Sequence, residues 1–211
     1  MKKLIAFVAA TFAAVSLASA ADITIGARGA FGLGLGTSVE DPLELDTGKC
    51  LDFGFTAFGK IGLTEAIALQ PELGFTHHTV GMKYDLDMGP LGSFSAKGTM
   101  GINTLDFAVL GVYDIAINDA FAVSPFVGPQ LGFVLGKGNG GGDMDGDVEF
   151  KSPILFDIVL GAGVSYKVGP GAIVGDLRYN LGLIALKDKD SEETLCTPRA
   201  LKLSVGYQIK L

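Results

Sequence analysis

The chain has 211 residues, of which 48% are hydrophobic and 18% charged, with a net charge of −7 and a mean hydropathy of +0.43. This length fits one domain or at most two, and the apolar content excludes a disordered chain. The acidic balance argues against nucleic acid as a partner, because phosphate binding needs a basic face. Two cysteines are too few for a disulfide scaffold or a four-cysteine zinc site.

The first twenty residues have the pattern of a signal peptide. Lys2 and Lys3 form a basic start, an apolar run follows over 4–17, and 18–20 reads Ala-Ser-Ala. This small-x-small ending is what signal peptidase accepts, and the run is short for a membrane-spanning helix. The sequence therefore predicts a signal peptide over 1–20 and a single exported domain over 21–211.

Eight later segments alternate between apolar residues and small or polar residues, which is the two-residue period of a β-strand. The segments are 23–35, 51–63, 67–76, 104–114, 121–133, 154–167, 173–183 and 201–211. Their second face consists mainly of Gly, Ser, Thr and Ala, with one to three charges per strand. A soluble lipocalin-like barrel is the competing interpretation, but it would need a densely charged outer face.

The connections between these segments alternate in length. Those at 64–66, 115–119 and 168–171 are short, whereas those at 36–50, 80–101, 136–152 and 187–198 are long. Short turns at one end and long loops at the other are typical of outer-membrane barrels. The predicted fold is all-β: an eight-stranded antiparallel up-and-down transmembrane β-barrel, with its loops extracellular.

The aromatic residues and prolines predict further features of the barrel wall. Aromatic side chains fall near both predicted rims, where they would form interfacial girdles. Prolines inside strands of a closed barrel remove ladder hydrogen bonds, so we expect bulges beside them. The girdle residues are Phe53, Phe75, Phe133 and Phe156 at the outer rim and Tyr113, Phe121, Tyr166 and Tyr207 at the periplasmic rim; the prolines are Pro71, Pro125 and Pro129.

The C-terminus carries a further motif. Ser204 and Gly206 precede hydrophobic Ile209 and Leu211 at the third-last and last positions. This resembles the C-terminal assembly signal of bacterial outer-membrane barrels, and the whole chain looks like the small OmpA-, OmpX- and OmpW-type barrels. The resemblance implies residence in the cell outer membrane and contact with outer-membrane lipid, the barrel-assembly machinery and periplasmic chaperones. The long loops are the expected site for any extracellular ligand.

Charged residues on the inward face predict a network in the lumen. Buried charges must pair, because an unpaired one costs about 3–5 kcal/mol. Two interpretations stay open: a structural plug, or a gate that opens by exchange of partners, as the resemblance to OmpA-like barrels implies. The predicted network comprises Arg28, Lys60, Glu72, Asp106, Asp157, Asp176 and Arg178.

Inward-facing apolar residues favour a second function. We place them on the outer half of the lumen, where they would suit an OmpW-like, porin-like channel for small or apolar solutes. Anchoring and loop presentation by a charge-plugged barrel is the first hypothesis, and this channel is the alternative. The residues are Phe58, Leu110, Phe126, Leu155 and Val159.

Catalytic, metal and cofactor sites are not expected. His77 and His78 are adjacent on a strand, so they point to opposite faces and cannot share a site. The acidic loop residues Asp143, Asp145 and Asp147 depart from the EF-hand pattern, which needs a glycine after the third acid and a later glutamate. We expect neither enzyme activity nor a cofactor.

Cys50 and Cys196 both fall just before predicted strands that flank the first strand. An oxidising compartment permits a disulfide between them, although the bond would have to bridge an intervening strand. A disulfide and two unpaired thiols both remain open.

Overall fold

The computed structural model describes residues 22–35, 43–45, 50–87, 89, 92–142, 147–148, 154–184, 186–187, 194–196 and 199–211. Within them, eight long strands carry the fold. They are β1 (Ile23–Gly34), β2 (Leu51–Gly62), β3 (Ile67–Asp87), β4 (Ser93–Tyr113), β5 (Phe121–Gly142), β6 (Ile154–Val168), β7 (Gly171–Gly182) and β8 (Arg199–Lys210). The predicted signal peptide over 1–20 lies outside the described residues.

The eight strands form one closed antiparallel barrel. Each strand pairs with its neighbours in the chain, and β1 closes the ring by pairing with β8 from Thr24–Lys210 to Gly34–Ala200. All backbone donors and acceptors of the wall can therefore pair with a neighbouring strand, which is the condition for β-structure in a membrane. The predicted eight-stranded up-and-down barrel is confirmed. Among the described residues, no helix has the length and hydropathy needed to cross a membrane.

The two ends of the barrel differ. The turns at 63–66, 117–120 and 169–170 lie at one end, which we call the turn end, and the longer connections lie at the other, the loop end. Hydrogen bonds close these turns, for example from the Leu63 amide to the Ile67 carbonyl at 2.8 Å.

The structure corrects two of the predicted loops. The expected loop over 80–101 is mostly a hairpin, because β3 and β4 stay paired from Val80–Met100 to Asp87–Ser93. Similarly, β5 continues to Gly142, into the expected loop over 136–152. Inward-facing Met100 is fully buried, so the hairpin continues the packed interior beyond the predicted strand ends.

Short strands extend the sheet at the loop end. Leu43–Leu45 pairs with β3, Asp147–Val148 pairs with β5, and Leu186–Lys187 pairs with Thr194–Cys196. At the turn end, Ile115–Ala116 pairs with the start of β5. The predicted acidic loop residues Asp143 and Asp145 lie outside the described residues, as does the side chain of Asp147.

Burial is inverted relative to a soluble barrel. Outward-facing Phe55 and Val205 are 63% and 61% exposed, whereas inward-facing Arg28 and Glu72 are each 7% exposed. In water the apolar side chains would fill the interior and charges would cover the wall. An apolar outer wall around a polar interior instead suits a hydrocarbon surrounding.

The expected bulges at the prolines are absent. The register of β5 with β6 runs unbroken through Pro125–Ala162 and Pro129–Ile158, and Pro71 keeps its place opposite Val109. Proline cannot donate a hydrogen bond to a neighbouring strand, and the ladders have gaps there instead of bulges. The β2–β3 ladder skips Gly59–Pro71 and Lys60–Gln70, and the β4–β5 ladder skips Val109–Pro129 and Leu110–Gly128. The register shift of the β4–β5 ladder lies between Gly101 and Asn103, opposite Gly136, whose φ is 79°.

Candidate functional site in the barrel lumen

Four charged side chains meet at the centre of the lumen. Arg28 from β1 and Arg178 from β7 face Glu72 from β3 and Asp176 from β7. Arg28 Nη1 lies 3.1 Å from Asp176 Oδ2, Arg178 Nη1 lies 3.1 Å from Glu72 Oε2, and Arg178 Nε donates to Asp176 Oδ1 at 2.9 Å. Arg28 Nη2 also donates to Glu72 Oε1. Each cation contacts both carboxylates, so this central quartet is electrically neutral.

Two phenylalanines support the arginines of the central quartet. The Arg28 guanidinium lies over the Phe58 ring at 4.9 Å from its centroid, and the Arg178 guanidinium lies over the Phe126 ring at 5.3 Å. A cation over a desolvated aromatic face gains about 2 kcal/mol. Each ring also needs a glycine beneath it: a Cβ at Gly26 would overlap Phe58, and one at Gly161 would lie 2.7 Å from Phe126 Cζ.

Lys60 does not join the central quartet, contrary to the predicted network. Its ammonium lies 2.5 Å from Asp114 Oδ1, which also accepts the Ser124 hydroxyl at 2.6 Å. Lys60 is one inward-facing position nearer the turn end than Phe58 on β2. Lys60 and Asp114 thus form a separate pair near the turn end.

Asp106 and Asp157 also lie apart from the central quartet, on its loop side. Asp106 Oδ2 accepts the Thr76 hydroxyl at 2.6 Å. Asp157 Oδ2 accepts from Gln130 Nε2 at 3.4 Å, and Gln130 Oε1 in turn accepts from Asn180 Nδ2 at 3.3 Å. These two carboxylates bind uncharged partners, because neither arginine reaches them.

Sequence reasoning missed a third charged group near the loop end. Asp52 accepts from His78 Nδ1 at 2.9 Å and lies 3.4 Å from the Lys202 ammonium. The register provides the reason: Gly32 on β1 is opposite both Asp52 on β2 and Lys202 on β8. Because Gly32 has no side chain, Lys202 can reach across β1. The spacing along the chain does not show this group, because Asp52 and Lys202 meet only through the register of β1 with β2 and β8.

The two histidines lie on opposite faces of β3. His78 points into the lumen, where its Nε2 is 3.1 Å from Thr104 Oγ1, whereas His77 contacts Asn103 across the outer wall at 2.8 Å. They form no joint site.

Apolar side chains fill the lumen on the turn side of the central quartet. The location predicted for Phe58, Leu110 and Phe126, on the outer half, is wrong: β2 and β4 run toward the turn end, and β5 begins there, so these positions are close to the turns. Leu155 alone of the five lies near the loop end, at the start of β6. The buried cluster comprises Ala68, Ala108, Leu110, Val112, Phe126 and Val159.

Little space remains around the central quartet. A cavity of about 30 Å³ lies on its loop side, and one of about 40 Å³ lies on its turn side. Arg28 lines both, so its side chain lies between them. Each cavity has room for one or two water molecules.

The C-terminal motif and the cysteines have structural positions as well. Gly206 is opposite Arg28, and a Cβ there would lie 2.1 Å from the Ala27 carbonyl oxygen and 2.6 Å from the Arg28 Cβ, so this glycine allows β8 to lie close to β1 at Arg28. Ser204 is buried, and Leu211 is 72% exposed on the outside. Cys50 is buried near the loop end, but the side chain of Cys196 lies outside the described part of the chain, and the disulfide stays a prediction.

A closed antiparallel barrel with an apolar outer wall and a polar, ion-paired lumen is a membrane-spanning β-barrel. The family model of the outer membrane protein beta-barrel domain matches residues 7–208, and the chain belongs to this family. This family places the chain in an outer membrane. No curated protein sequence matches it.

Solved structures share the fold at low identity. A major outer membrane protein from Thermus thermophilus is 18% identical with a TM-score of 0.53, over 91% of this chain and 100% of that one. Neisserial surface protein A is 16% identical with a TM-score of 0.49, and Ail of Yersinia pestis is 12% identical with a TM-score of 0.40; each comparison covers 90% of this chain and 97% of the other. The Thermus structure supports the barrel fold and nothing finer.

Proposed function

We propose that this chain is a non-enzymatic outer-membrane anchor with a plugged lumen, which presents its loop end at the cell surface. The observation that carries the proposal is the central quartet. Its four side chains are 3–6% exposed and join β1, β3 and β7 across the middle of the barrel. A neutral, fully paired cluster has no charge free to attract a permeating ion.

Two further features support a plug. The apolar cluster lies on the turn side of the central quartet, and the cavities of about 30 and 40 Å³ are separated by Arg28. The channel alternative depended on an apolar path through the outer half, but among the described residues the apolar side chains divide between the two ends. Outer-membrane lipid, the barrel-assembly machinery and periplasmic chaperones are the partners that go with this proposal.

Conductance across planar bilayers tests the plug. We expect folded protein, verified by its heat-shifted gel mobility, to give no discrete conductance steps. The double variant Arg28→Met, Arg178→Met should be less stable because it leaves Glu72 and Asp176 without cations. Lys210→Met is the matched control, since Lys210 pairs with Asp22 at an exposed position. Steady steps from the folded wild type would favour the channel instead.

Surface presentation needs a separate test. Gly89 and Gly92 form the tip of the β3–β4 hairpin, where the Gly92 amide donates to the Gly89 carbonyl at 3.1 Å. A peptide epitope inserted between them should be accessible to antibody on intact cells. The same epitope inserted at 117–120, in a turn at the opposite end, is the control and should need permeabilised cells. The reverse pattern would contradict the proposed orientation.

A further inference from the structure

Arg199 lies on the outer wall of the barrel at its loop end. It is the first residue of β8, and the next residue, Ala200, is buried in the lumen, so the arginine side chain faces outward. Its neighbours on that face are leucines. Leu181 is opposite it on β7, and the Leu35 amide of β1 donates to its carbonyl at 2.6 Å. This outward-facing cation is therefore surrounded by apolar side chains.

Arg199 marks the loop-end limit of the apolar wall. The outward-facing residues that follow it on β8 are all apolar: Leu201, Leu203, Val205, Tyr207, Ile209 and Leu211. On β3 and β4 the outward-facing residues change from apolar to polar at His77 and Asn103, whose side chains contact each other at 2.8 Å. The apolar band of a membrane barrel ends where the lipid headgroups begin. Arg199 therefore lies at the level of the headgroups.

The Arg199 guanidinium lacks an acceptor. Its Nε is buried without a hydrogen-bond partner, and within the described part of the chain no carboxylate pairs with it. The lumen arginines differ in this respect, since Arg28 and Arg178 each contact two carboxylates. A guanidinium has five N–H donors and keeps its charge, and a buried donor without an acceptor is costly. Arg199 thus needs a negatively charged acceptor from outside this part of the chain.

The position of Arg199 indicates which anion fits. Lipid phosphates lie at the level of the headgroups, and the guanidinium fork matches a phosphate with two parallel N–H···O bonds. We propose that Arg199 binds the phosphate of one anionic lipid, whose acyl chains lie along Leu35 and Leu201, which are 43% and 39% exposed. The inference deepens the proposed function, because it assigns a site to the lipid partner. Only the choice of the outer leaflet rests on the proposed orientation of the loop end.

The experiment measures thermal unfolding of the refolded barrel in detergent micelles with added lipid, with heat-shifted gel mobility as the readout. Phosphatidylcholine, whose headgroup carries no net charge, is compared with anionic phosphatidylglycerol. Phosphatidylglycerol should raise the midpoint saturably, by about 5 °C when it is about 100-fold above its dissociation constant. Arg199→Gln should abolish this rise. Arg199→Lys should keep only part of it, because lysine retains the charge and loses the fork.

Lys167→Gln is the matched control. It removes the same charge from an exposed position near the turn end, and the rise with phosphatidylglycerol should remain. Equal midpoints of the wild type in the two lipids overturn the proposal, because they would show that the guanidinium is satisfied within the protein. A rise that survives in Arg199→Gln overturns it as well. Inorganic phosphate added with phosphatidylcholine tests a free anion, and a rise equal to that with phosphatidylglycerol would show that the site needs no lipid, which also overturns the proposal.

Native mass spectrometry of the wild type decides if Arg199→Gln does not fold. One phosphatidylglycerol retained on each barrel, with no phosphatidylcholine, supports the site, and equal retention of the two lipids contradicts it. Micelles have no inner and outer side, so neither result depends on the orientation that the epitope insertions test. A failure of this inference is therefore distinguishable from a failure of the proposed function.

Discussion

Glu72 and Arg178 stand on opposite walls of the barrel, yet Arg178 Nη1 lies 3.1 Å from Glu72 Oε2. Their strands, β3 and β7, are four strands apart in either direction around the ring. Sheet hydrogen bonds join only neighbouring strands, so this contact connects parts of the wall that otherwise have no direct link. The central quartet thus connects opposite walls and fixes the cross-section of the barrel.

Glu72→Gln should destabilise the barrel by about 3–5 kcal/mol, because it leaves two buried guanidiniums with one carboxylate. Asp22→Asn, which breaks an exposed pair with Lys210 at 2.8 Å, should cost about 0–1 kcal/mol. Urea unfolding in lipid vesicles measures both. Equal losses for the two variants would contradict the role given to the central quartet.

Replacing the whole central quartet by apolar residues tests whether the loss of stability in Glu72→Gln comes from the charges that it leaves unpaired. The variant Arg28→Met, Glu72→Leu, Asp176→Leu, Arg178→Met removes four charges together and leaves none unpaired. Such replacements are often neutral or stabilising by about 1–4 kcal/mol. We therefore expect this quadruple variant to be more stable than Glu72→Gln in urea unfolding. A larger loss than in the single variant would show that the ion pairs are themselves strongly stabilising.

Gly161→Ala should destabilise the barrel by about 1–3 kcal/mol, because the new methyl would lie 2.3 Å from the Leu177 carbonyl oxygen and 2.7 Å from Phe126 Cζ. Gly29→Ala is the control, since a Cβ on that outward-facing residue meets nothing within 4 Å, and its effect should stay within about 0.5 kcal/mol. Unfolding midpoints compare the two. A harmless Gly161→Ala would contradict the close approach of β6 to the β7 backbone at Leu177 as well as to the Phe126 ring.

The alternation and turn lengths were sufficient to predict the barrel because both depend on local sequence. The partner of Lys60 could not be predicted in the same way, because it depends on how far each strand is shifted along its neighbour. A difference of one inward-facing position is enough for a side chain to bind a different partner. The same shift places Asp52 and Lys202 beside one glycine, which no spacing along the chain reveals. The β3–β4 hairpin was predicted as a loop because its inward positions include Ala96 and Gly98, which give no apolar period.

Gly136→Ala should cost about 1 kcal/mol, because φ is 79° at this bulge and only glycine adopts that region without strain. No atom would lie within 4 Å of the new Cβ, so the loss would come from the backbone alone. Gly141→Ala on the same strand is the control: its Cβ would make ordinary contact with Thr99 Oγ1 at 3.6 Å. Urea unfolding should separate the two variants, and equal stability would contradict the bulge.

Gly32→Ala tests whether Lys202 reaches Asp52 across β1. The added Cβ would lie 2.7 Å from Lys202 Cγ and 3.3 Å from Asp52 Cβ, so it should push the lysine out of its path. We expect a loss of about 1–3 kcal/mol, and Lys202→Met should cost more, about 3–5 kcal/mol, because it leaves the buried carboxylate without its ammonium. The double variant is decisive: since both changes disrupt one ion pair, their losses in urea unfolding should not add. Additive losses would show that the methyl acts on the packing of the wall and not on the Asp52–Lys202 contact.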